Sequence, residues 1–338
     1  MKAAVVTATE RIEILDVDVP AVKDDEVLIR VHAAGVCGSD LHLFLGRHVF
    51  RKPPVVMGHE AAGEIVQVGA AVTKFKVGDR VTVLPQRVCG VCEFCRQGKI
   101  NICDAKIVPG TPEWTGAFVE YFNAPEDMLF LLADDVGYEV GCLAEPLSVA
   151  VHMLRLAREE KRESVVIFGA GSIGMMGLLV ARNMGYKTAL CTDPTPFNRQ
   201  LAVSLGATAL DPFTEDVVSA ALERTGGRGA DLALVTAGGD DVLDQASCCV
   251  RKGGEIGVIA MITRKIPFYC YGLVAKEQVL YGSMNYTLED FRKAVDLING
   301  GLDLKPLISH VLPMNRSQEG LELLSRKADN ALKVVVTL

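Results

Sequence analysis

A chain of 338 residues is too long for one ordinary hydrophobic core, and its 49% hydrophobic and 23% charged residues are the balance of a globular protein, so two domains are expected. The formal net charge of -7 offers no basic surface to neutralise phosphates, which argues against a nucleic-acid partner. The first residues carry charges where a signal peptide needs an apolar stretch, and the apolar runs are too short to cross a bilayer; we expect a cytoplasmic protein without a membrane partner.

Two patterns of secondary structure follow each other along the chain. From Met1 to about residue 79, short alternating segments such as VLIRVHAAGV are separated by glycine, proline and charged turns, which is typical of strands. After Ala144, strand-like and helix-like segments alternate, as in SVVIFG, SIGMMGLLVARNMG and TALCTD, which predicts a parallel sheet covered by helices. The predicted fold class is α/β: a β domain, then a Rossmann domain (a doubly wound parallel sheet) over residues 145–282, then a last strand, ALKVVVTL, that returns to the β domain.

Two groups stand out among the ten cysteines, which are expected to be reduced because no export signal is apparent. Five are expected to pack as small hydrophobic residues: Cys142, Cys191, Cys248, Cys249 and Cys270. Four follow C-x2-C-x2-C-x7-C in a lobe of about residues 85–110, a spacing that predicts a closed tetrahedral zinc site: Cys89, Cys92, Cys95 and Cys103. An iron–sulfur cluster competes, although the last interval is longer than in bacterial ferredoxins and no proline follows it. Unligated surface cysteines are the remaining alternative.

A glycine-rich turn joins the strand VVIF to a helix that begins near Ser172. Its G-x-G-x-x-G pattern allows close approach of a pyrophosphate and places that phosphate at the positive end of a helix. An aspartate at the end of the next strand can accept hydrogen bonds from ribose hydroxyls and would repel a 2'-phosphate, so NAD is favoured, while a nearby arginine keeps NADP open. The residues predicted to bind the dinucleotide are Gly169, Gly171, Ser172, Ile173, Gly174, Asp193 and Arg199.

A second candidate metal site combines Cys37, in GVCGSDLH, with His59 and Glu60, in VVMGHEAAGEIV. A thiolate, an imidazole and a carboxylate are a sensible set of zinc ligands, and they leave one position open for water or an alcohol oxygen. Each of these residues alone would be interpreted as packing. Their combination with the glycine turn and the four-cysteine lobe favours a catalytic site.

The order GVCGSD, GHE, four-cysteine lobe, AEPLSVA and GAGSIG closely resembles the zinc-containing medium-chain dehydrogenase/reductase family along the whole chain, particularly its sorbitol (polyol) and threonine dehydrogenase branches. The resemblance implies a GroES-like β domain, here residues 1–144 and 283–338, interrupted by the Rossmann domain, with the active site in the cleft between them. It also implies two zinc ions per chain, one catalytic and one structural, and NAD as hydride acceptor.

Individual roles follow from the same resemblance. Cys37 and His59 correspond to ligands of the catalytic zinc, and Glu60 corresponds to an acidic residue that ligates zinc or approaches it from the second shell. Glu145, in AEPLSVA, corresponds to a carboxylate that ligates the metal or holds its bound water. A charge that caps the first turn of a helix is the alternative interpretation of Glu145.

Ser39 and His42 correspond to the family's proton relay, in which the hydroxyl touches the substrate oxygen and the imidazole passes the proton outward. The predicted function is a zinc-dependent oxidoreductase that transfers hydride between a secondary alcohol, such as a polyol or cyclitol, and NAD, with a small-molecule alcohol or ketone as partner. Asn285 and Tyr286 stand where the sorbitol branch has an arginine–tyrosine pair, which puts sorbitol itself in doubt. Phe44, Arg47 and His48 are candidates for the mouth of the cleft, and threonine or a butanediol stays open as substrate.

Two interpretations from other classes also stay open. A zinc-free quinone reductase of the same superfamily usually lacks the four cysteines and the GHE ligands. A non-catalytic NAD-binding protein would have no use for an intact relay and ligand set. The resemblance further implies a homo-oligomer, a dimer or a homotetramer, with the strand QVLYGSM as the expected interface.

Overall fold

The computed structural model describes residues 1–48, 50–158 and 163–338. The chain forms two compact units, one of Met1–Ser148 with Thr287–Leu338 and the other of Val149–Tyr286. The boundaries predicted from the sequence, after residues 144 and 282, lie four residues before the boundaries between these units, which follow Ser148 and Tyr286.

Strands and helices are numbered here in chain order over the described residues. The strands are β1 (Lys2–Ala8), β2 (Arg11–Asp16), β3 (Glu26–Gly35), β4 (Val55–Val56), β5 (Glu60–Val68), β6 (Arg80–Val83), β7 (Tyr121–Pro125), β8 (Leu129–Leu131), β9 (Ser164–Phe168), β10 (Thr188–Thr192), β11 (Thr208–Leu210), β12 (Ala230–Val235), β13 (Val250–Val258), β14 (Val279–Gly282), β15 (Ile308–Pro313) and β16 (Lys333–Thr337). The α-helices are α1 (Gly38–Phe44), α2 (Glu93–Arg96), α3 (Tyr138–Gly141), α4 (Ala144–Leu156), α5 (Ser172–Asn183), α6 (Pro196–Ser204), α7 (Val217–Arg224), α8 (Val242–Cys249), α9 (Tyr271–Lys276), α10 (Leu288–Asn299) and α11 (Ser317–Arg326).

The first unit is built mainly from strands. Its larger sheet runs in the order β15-β16-β3-β5-β6-β8, with β7 also pairing to β3, and a smaller sheet has the order β2-β1-β4. The last strand, β16, runs parallel to β15 and antiparallel to β3, so ALKVVVTL does return to the N-terminal sheet. The core of the unit collects fully buried side chains from β3, β5, β16 and the segment before β7, among them Ile29, Ile65, Val334 and Phe118.

Helix α10 of this unit shows how local sequence determines its ends and its buried face. Thr287 and Asp290 cap its first turn: the Thr287 hydroxyl and backbone N–H both donate to the Asp290 carboxylate, at 2.6 and 2.9 Å. Its apolar side chains recur with helical spacing and are buried, as in Phe291, Ala294 and Ile298. These local features explain why the segment LEDFRKAVDLINGG forms this helix.

The second unit is a six-stranded parallel sheet in the order β11-β10-β9-β12-β13-β14. Strands β9 and β12 are buried along their whole length, as expected for a sheet covered on both faces. The strand order changes direction between β9 and β12, and in such sheets the carboxyl ends of the strands at this point form a binding crevice. The Rossmann prediction is confirmed.

The cysteines outside the metal patterns are only partly as predicted. All ten cysteines are free thiols, and Cys142, Cys191 and Cys249 are buried, as expected for packing residues. For Cys248 and Cys270 the prediction was wrong, because both are exposed. Cys248 adjoins the buried Cys249 on α8, and successive residues of a helix point about 100° apart, so one faces the core and the other faces outward.

No helix in the described parts of the chain combines the length and the apolar character needed to cross a membrane.

Candidate functional site

Three residues predicted for the catalytic site come together where β3 ends and β5 begins. Gly35, the last residue of β3, pairs with Glu60, the first residue of β5, so Cys37 lies just beyond one strand and His59 just before the other. One ligand atom from each of Cys37, His59 and Glu60 lies within 4.8 Å of the other two, and the group could hold a metal ion. A thiol, an imidazole and a carboxylate suit zinc.

A buried carboxylate fixes the two segments that carry these side chains. Asp40, in the first turn of α1, accepts hydrogen bonds from the backbone N–H groups of Cys37 at 3.1 Å and Gly58 at 3.2 Å, and its Oδ1 lies 3.8 Å from His59 Nδ1. Gly58 has a φ of 91°, and a Cβ there would lie 2.3 Å from Phe118 Cδ1, so only glycine fits. Asp40 was not among the residues predicted for the site, although its place in the first turn after Cys37 was a visible signal in the sequence.

Glu60 forms a buried ion pair with Lys333 of the last strand. Lys333 Nζ lies 2.7 Å from Glu60 Oε1 and also donates to the Val36 carbonyl oxygen at 3.0 Å, and the two charged side chains are 3% and 0% exposed. Burial disfavours the charged amine, but the adjacent Glu60 and Cys37 outweigh it and raise the pKa of Lys333. Burial, followed by the charges of Glu60 and Asp40, raises the pKa of the Cys37 thiol to about 11, so a thiolate here requires a cation beside it.

Removing the positive partner of this buried pair is expected to be strongly destabilising. Lys333→Met leaves Glu60 buried without its counter-ion, and we expect a loss of about 3 kcal/mol or more in the free energy of unfolding, measured by urea denaturation. Lys2→Met is the matched control, because the Lys2–Asp16 pair is exposed and its loss should leave the urea midpoint nearly unchanged. Equal midpoints for the two variants would contradict the role assigned to Lys333.

The other residues predicted for the catalytic site also belong to the first unit. Ser39 and His42 lie one turn apart on α1, the first half-buried and the second exposed, so one face of the helix carries both toward solvent. Glu145 is buried in the first turn of α4, with 8% of its surface exposed. It is not part of the three-residue group found within the described residues.

The four cysteines of the 85–110 lobe converge as their spacing predicts. Their sulfur atoms all lie within 4.8 Å of one another, with Cys89 Sγ 3.9 Å from Cys95 Sγ and 3.6 Å from Cys103 Sγ. Four sulfurs at the usual zinc–sulfur distance stand about 3.8 Å apart, so the donor set fits a tetrahedral ion. The backbone N–H groups of Val91 and Cys92 point at Cys89 and lower the pKa of its thiol to about 6, which favours the thiolate.

The glycine-rich turn lies at the carboxyl end of β9 and the start of α5. Gly169 has a φ of 100°, and a Cβ at Gly174 would lie 1.8 Å from the Gly169 carbonyl oxygen, so helix and turn pack too closely for a side chain. A Cβ at Gly171 would meet nothing within 4 Å, so this side of the turn is open. Ser172 and Ile173 form the first turn of α5 and are half-buried.

The acidic residue after β10 is held firmly beside this turn. Asp193 is 7% exposed, and its carboxylate accepts hydrogen bonds from the backbone N–H groups of Ala170 at 3.0 Å and Thr195 at 2.8 Å. Arg199 donates to the Asp193 carbonyl oxygen at 2.7 Å and pairs with Asp211 at 3.1 Å. Asp211 was not predicted from the sequence. It pairs with Arg199, the residue because of which NADP had been left as an alternative cofactor.

Comparison with known proteins places the same elements in one family. The family described as the alcohol dehydrogenase GroES-like domain matches residues 23–134, and the zinc-binding dehydrogenase family matches residues 172–300. The chain is 36% identical to sorbitol dehydrogenase of Bacillus subtilis over 99% of this chain and 97% of that protein. It is 34% identical to L-threonine 3-dehydrogenase of Caldanaerobacter subterraneus over 93% and 92% of the two chains.

A solved structure shows the same fold. The crystal structure of 2R,3R-butanediol dehydrogenase from Bacillus subtilis matches with a TM-score of 0.92 and 30% identity, covering 100% of this chain and 99% of that one. A GroES-like unit, a Rossmann unit and two clusters of metal-binding side chains define the class of zinc-binding dehydrogenases. This chain belongs to the zinc-containing medium-chain dehydrogenase/reductase family.

Proposed function

We propose that this protein oxidises a secondary alcohol of a polyol or a similar small molecule, with zinc and NAD, and reduces the corresponding ketone in the reverse direction. The observation that carries the proposal is the group of Cys37, His59 and Glu60, whose ligand atoms lie within 4.8 Å of one another one turn away from Ser39 and His42. A purely structural metal site would have no need of a hydroxyl and an imidazole leading from it toward solvent.

Cys37, His59 and Glu60 are the side chains that would hold the catalytic zinc, with Asp40 and Lys333 keeping them in place. Bound there, zinc supplies a Lewis acid that polarises the substrate oxygen, and NAD accepts the hydride. The Glu60–Lys333 pair partly neutralises the carboxylate. The role of Glu145, as a ligand or as a residue that holds water, stays a prediction.

Ser39 and His42 handle the proton that alcohol oxidation releases together with the hydride. The Ser39 hydroxyl, half-buried at the start of α1, accepts the proton of the substrate hydroxyl and passes its own to the imidazole of His42. His42 is exposed and can release the proton to water.

Cofactor choice rests on the residues around Asp193. The Asp193 carboxylate is fixed by two backbone amides and is available to ribose hydroxyls, whereas a 2'-phosphate at that place would meet a like charge. Arg199 is engaged by Asp211 and by the carbonyl oxygens of Asp193 and Pro194, so it does not offset that repulsion. These contacts support NAD over NADP.

Removing the negative charge should shift this preference. For Asp193→Ser we expect the ratio of kcat/KM for NADP to that for NAD to rise on the order of tenfold, because the repulsion disappears while the ribose contact is lost. Initial rates with both cofactors provide the measurement. Asp296→Ser, at an exposed aspartate of α10, is the control and should leave the ratio unchanged. A ratio unaffected by Asp193→Ser would contradict the assignment.

The proposed substrate class follows from the relatives, which are named for sorbitol, L-threonine and 2R,3R-butanediol. Asn285, where the sorbitol branch has arginine, lies in the left-handed region with a φ of 48°, and Tyr286 is 1% exposed. An asparagine can still hydrogen-bond a hydroxyl, so polyols, cyclitols, threonine and diols form the substrate panel.

The test is NADH formation at 340 nm over that panel, with metal analysis of the same sample. We expect activity on one class of secondary alcohol and about two zinc ions per chain. Zinc-loaded protein that is silent toward every compound would direct the search to other alcohols. Protein that turns over an alcohol after complete removal of zinc would overturn the proposal.

We further propose a homo-oligomer in the cytoplasm. Strand β14 is the edge strand of the six-stranded sheet and presents Leu280, which is 38% exposed, and Met284 follows with 56% exposed. An edge with exposed apolar side chains supports pairing with a second copy. Ten free thiols support a reducing compartment.

A further inference from the structure

A basic loop, defined as the described residues 46–48 and 50–54, lies between helix α1 and strand β4 in the chain. It carries Arg47, Arg51 and Lys52, and within the described residues none of the three side chains forms an ion pair. The one carboxylate of α1, Asp40, is already bound by the backbone amides of Cys37 and Gly58. The loop therefore presents positive charge that the described protein does not neutralise.

Arg51 differs from the other two basic residues because it is buried. Only 7% of its surface is exposed, and its Nε has no hydrogen-bond partner in the described part of the chain. Arg47 and Lys52 are exposed and can be solvated by water. A guanidinium withdrawn from water without a counter-ion is strongly unfavourable, and folded proteins normally pair such a group with an anion. This arginine is therefore poised to receive an anion from outside the chain.

The surroundings place Arg51 beside the backbone that leads to the proposed catalytic residues. A Cβ built on Gly110 would lie 3.4 Å from Arg51 Nε and 3.2 Å from the carbonyl oxygen of Val56, three residues before His59. On the other side, the Arg51 backbone N–H donates to His48 Nδ1 at 3.1 Å.

His48 links the loop to the proposed relay. Burial, and then the charge of Arg51, lower the pKa of His48, and Asp40 and His42 act on the same imidazole. Arg51 and the relay residue His42 therefore lie within electrostatic reach of one side chain of the loop.

We propose that Arg51 binds a carboxylate or phosphate carried by the alcohol substrate, so that the enzyme acts on an anionic polyol or hydroxy acid in preference to a neutral sugar alcohol. This inference rests on the proposed function and names its substrate class. A planar guanidinium suits both anions, because it can donate two parallel hydrogen bonds to either. The exposed Arg47 and Lys52 attract the anion toward the loop, and Arg51 fixes the orientation of its carbon chain.

The experiment compares one carbon chain with different charges on the zinc-loaded protein: sorbitol, gluconate and sorbitol 6-phosphate, with L-threonine as a shorter carboxylate. We expect kcat/KM for at least one anion to exceed that for sorbitol by about 30-fold or more. Arg51→Gln should lower kcat/KM for the anion by about 100-fold, because it removes one partner of a desolvated charge pair. The same variant should keep kcat/KM for sorbitol within about 3-fold of the parent value. Arg51→Lys should recover part of the lost kcat/KM. Comparing gluconate with sorbitol 6-phosphate shows whether the anion that Arg51 binds is a carboxylate or a phosphate.

Lys52→Gln is the matched control, because Lys52 lies in the same loop but is exposed. Lys52→Gln should change kcat/KM little, and its main effect should be a weaker dependence of kcat/KM on salt concentration. A parent protein that prefers sorbitol to every anion would overturn the inference and leave the proposed function intact. The same holds if Arg51→Gln keeps the parent melting temperature but loses kcat/KM equally for sorbitol and for the anions.

A binding measurement separates failure of the inference from failure of the proposed function. Calorimetric titration of the NADH-loaded protein with inorganic phosphate and with gluconate should show binding that Arg51→Gln removes and Lys52→Gln retains. Binding that is absent in the parent protein, or unchanged by Arg51→Gln, overturns the inference even where no alcohol is turned over.

Discussion

Replacing Cys37 with alanine should abolish turnover while NADH binding survives. The variant removes the only thiol of the Cys37, His59 and Glu60 group, so the proposed catalytic zinc loses a ligand and the substrate oxygen loses its Lewis acid. We expect a loss of at least about 10,000-fold in kcat/KM and a drop from about two zinc ions per chain to about one. The measurements are NADH formation, zinc content and NADH fluorescence on the same preparation.

Cys270→Ala is the control for this experiment, because Cys270 is an exposed thiol outside both clusters. It should keep full activity, both metal ions and the affinity for NADH. Because the glycine turn and Asp193 belong to the second unit, cofactor binding in Cys37→Ala should equal that of the parent. Retained activity in Cys37→Ala, or unchanged zinc content, would remove the basis for assigning the catalytic metal to this group.

Loss of zinc from the four-cysteine lobe should lower the stability of the protein by a large amount. Cys103→Ser should release the structural zinc, because a hydroxyl is a poor substitute for a thiolate in a four-sulfur site. The lobe has short helical segments, α2 and Ile100–Ile102, and little apolar interior of its own, so metal binding supplies much of its folding energy. We expect the melting temperature to fall on the order of 10 °C.

The matched substitution for this second prediction is Cys248→Ser at an exposed thiol of α8. It should leave both zinc content and melting temperature at the parent values. A Cys103→Ser protein that keeps about two zinc ions per chain would mean that the remaining three sulfurs suffice. A protein that loses the metal without loss of stability would mean that the lobe is held by packing.

The features that sequence alone predicted are those encoded in short stretches. The glycine turn and the four cysteines at fixed intervals each depend on residues within about fifteen positions of one another, and the structure has both. Alternation of strands and helices was enough to predict the six-stranded parallel sheet.

The features that were missed depend on contacts between distant segments. Lys333 stands at the start of an apolar strand in the sequence, and only the pairing of β16 with β3, and of β3 with β5, brings it to Glu60. Arg51 gave no sign of burial in a stretch rich in charges, because its burial depends on the backbone around Val56 and Gly110. Cys248 and Cys270 were assigned to packing from apolar neighbours, and composition does not tell which side of a short helix faces outward.

The position of β16 has a consequence for the order of events during synthesis. The second unit, Val149–Tyr286, is continuous in the chain and can fold as soon as it leaves the ribosome. The sheet of the first unit cannot be completed until β16 inserts between β15 and β3, and β16 follows every other strand of that sheet in the chain. Until then the Glu60 carboxylate has no amine beside it, so the nascent protein acquires its cofactor-binding half first and its complete metal-binding half only after β16 has been synthesised.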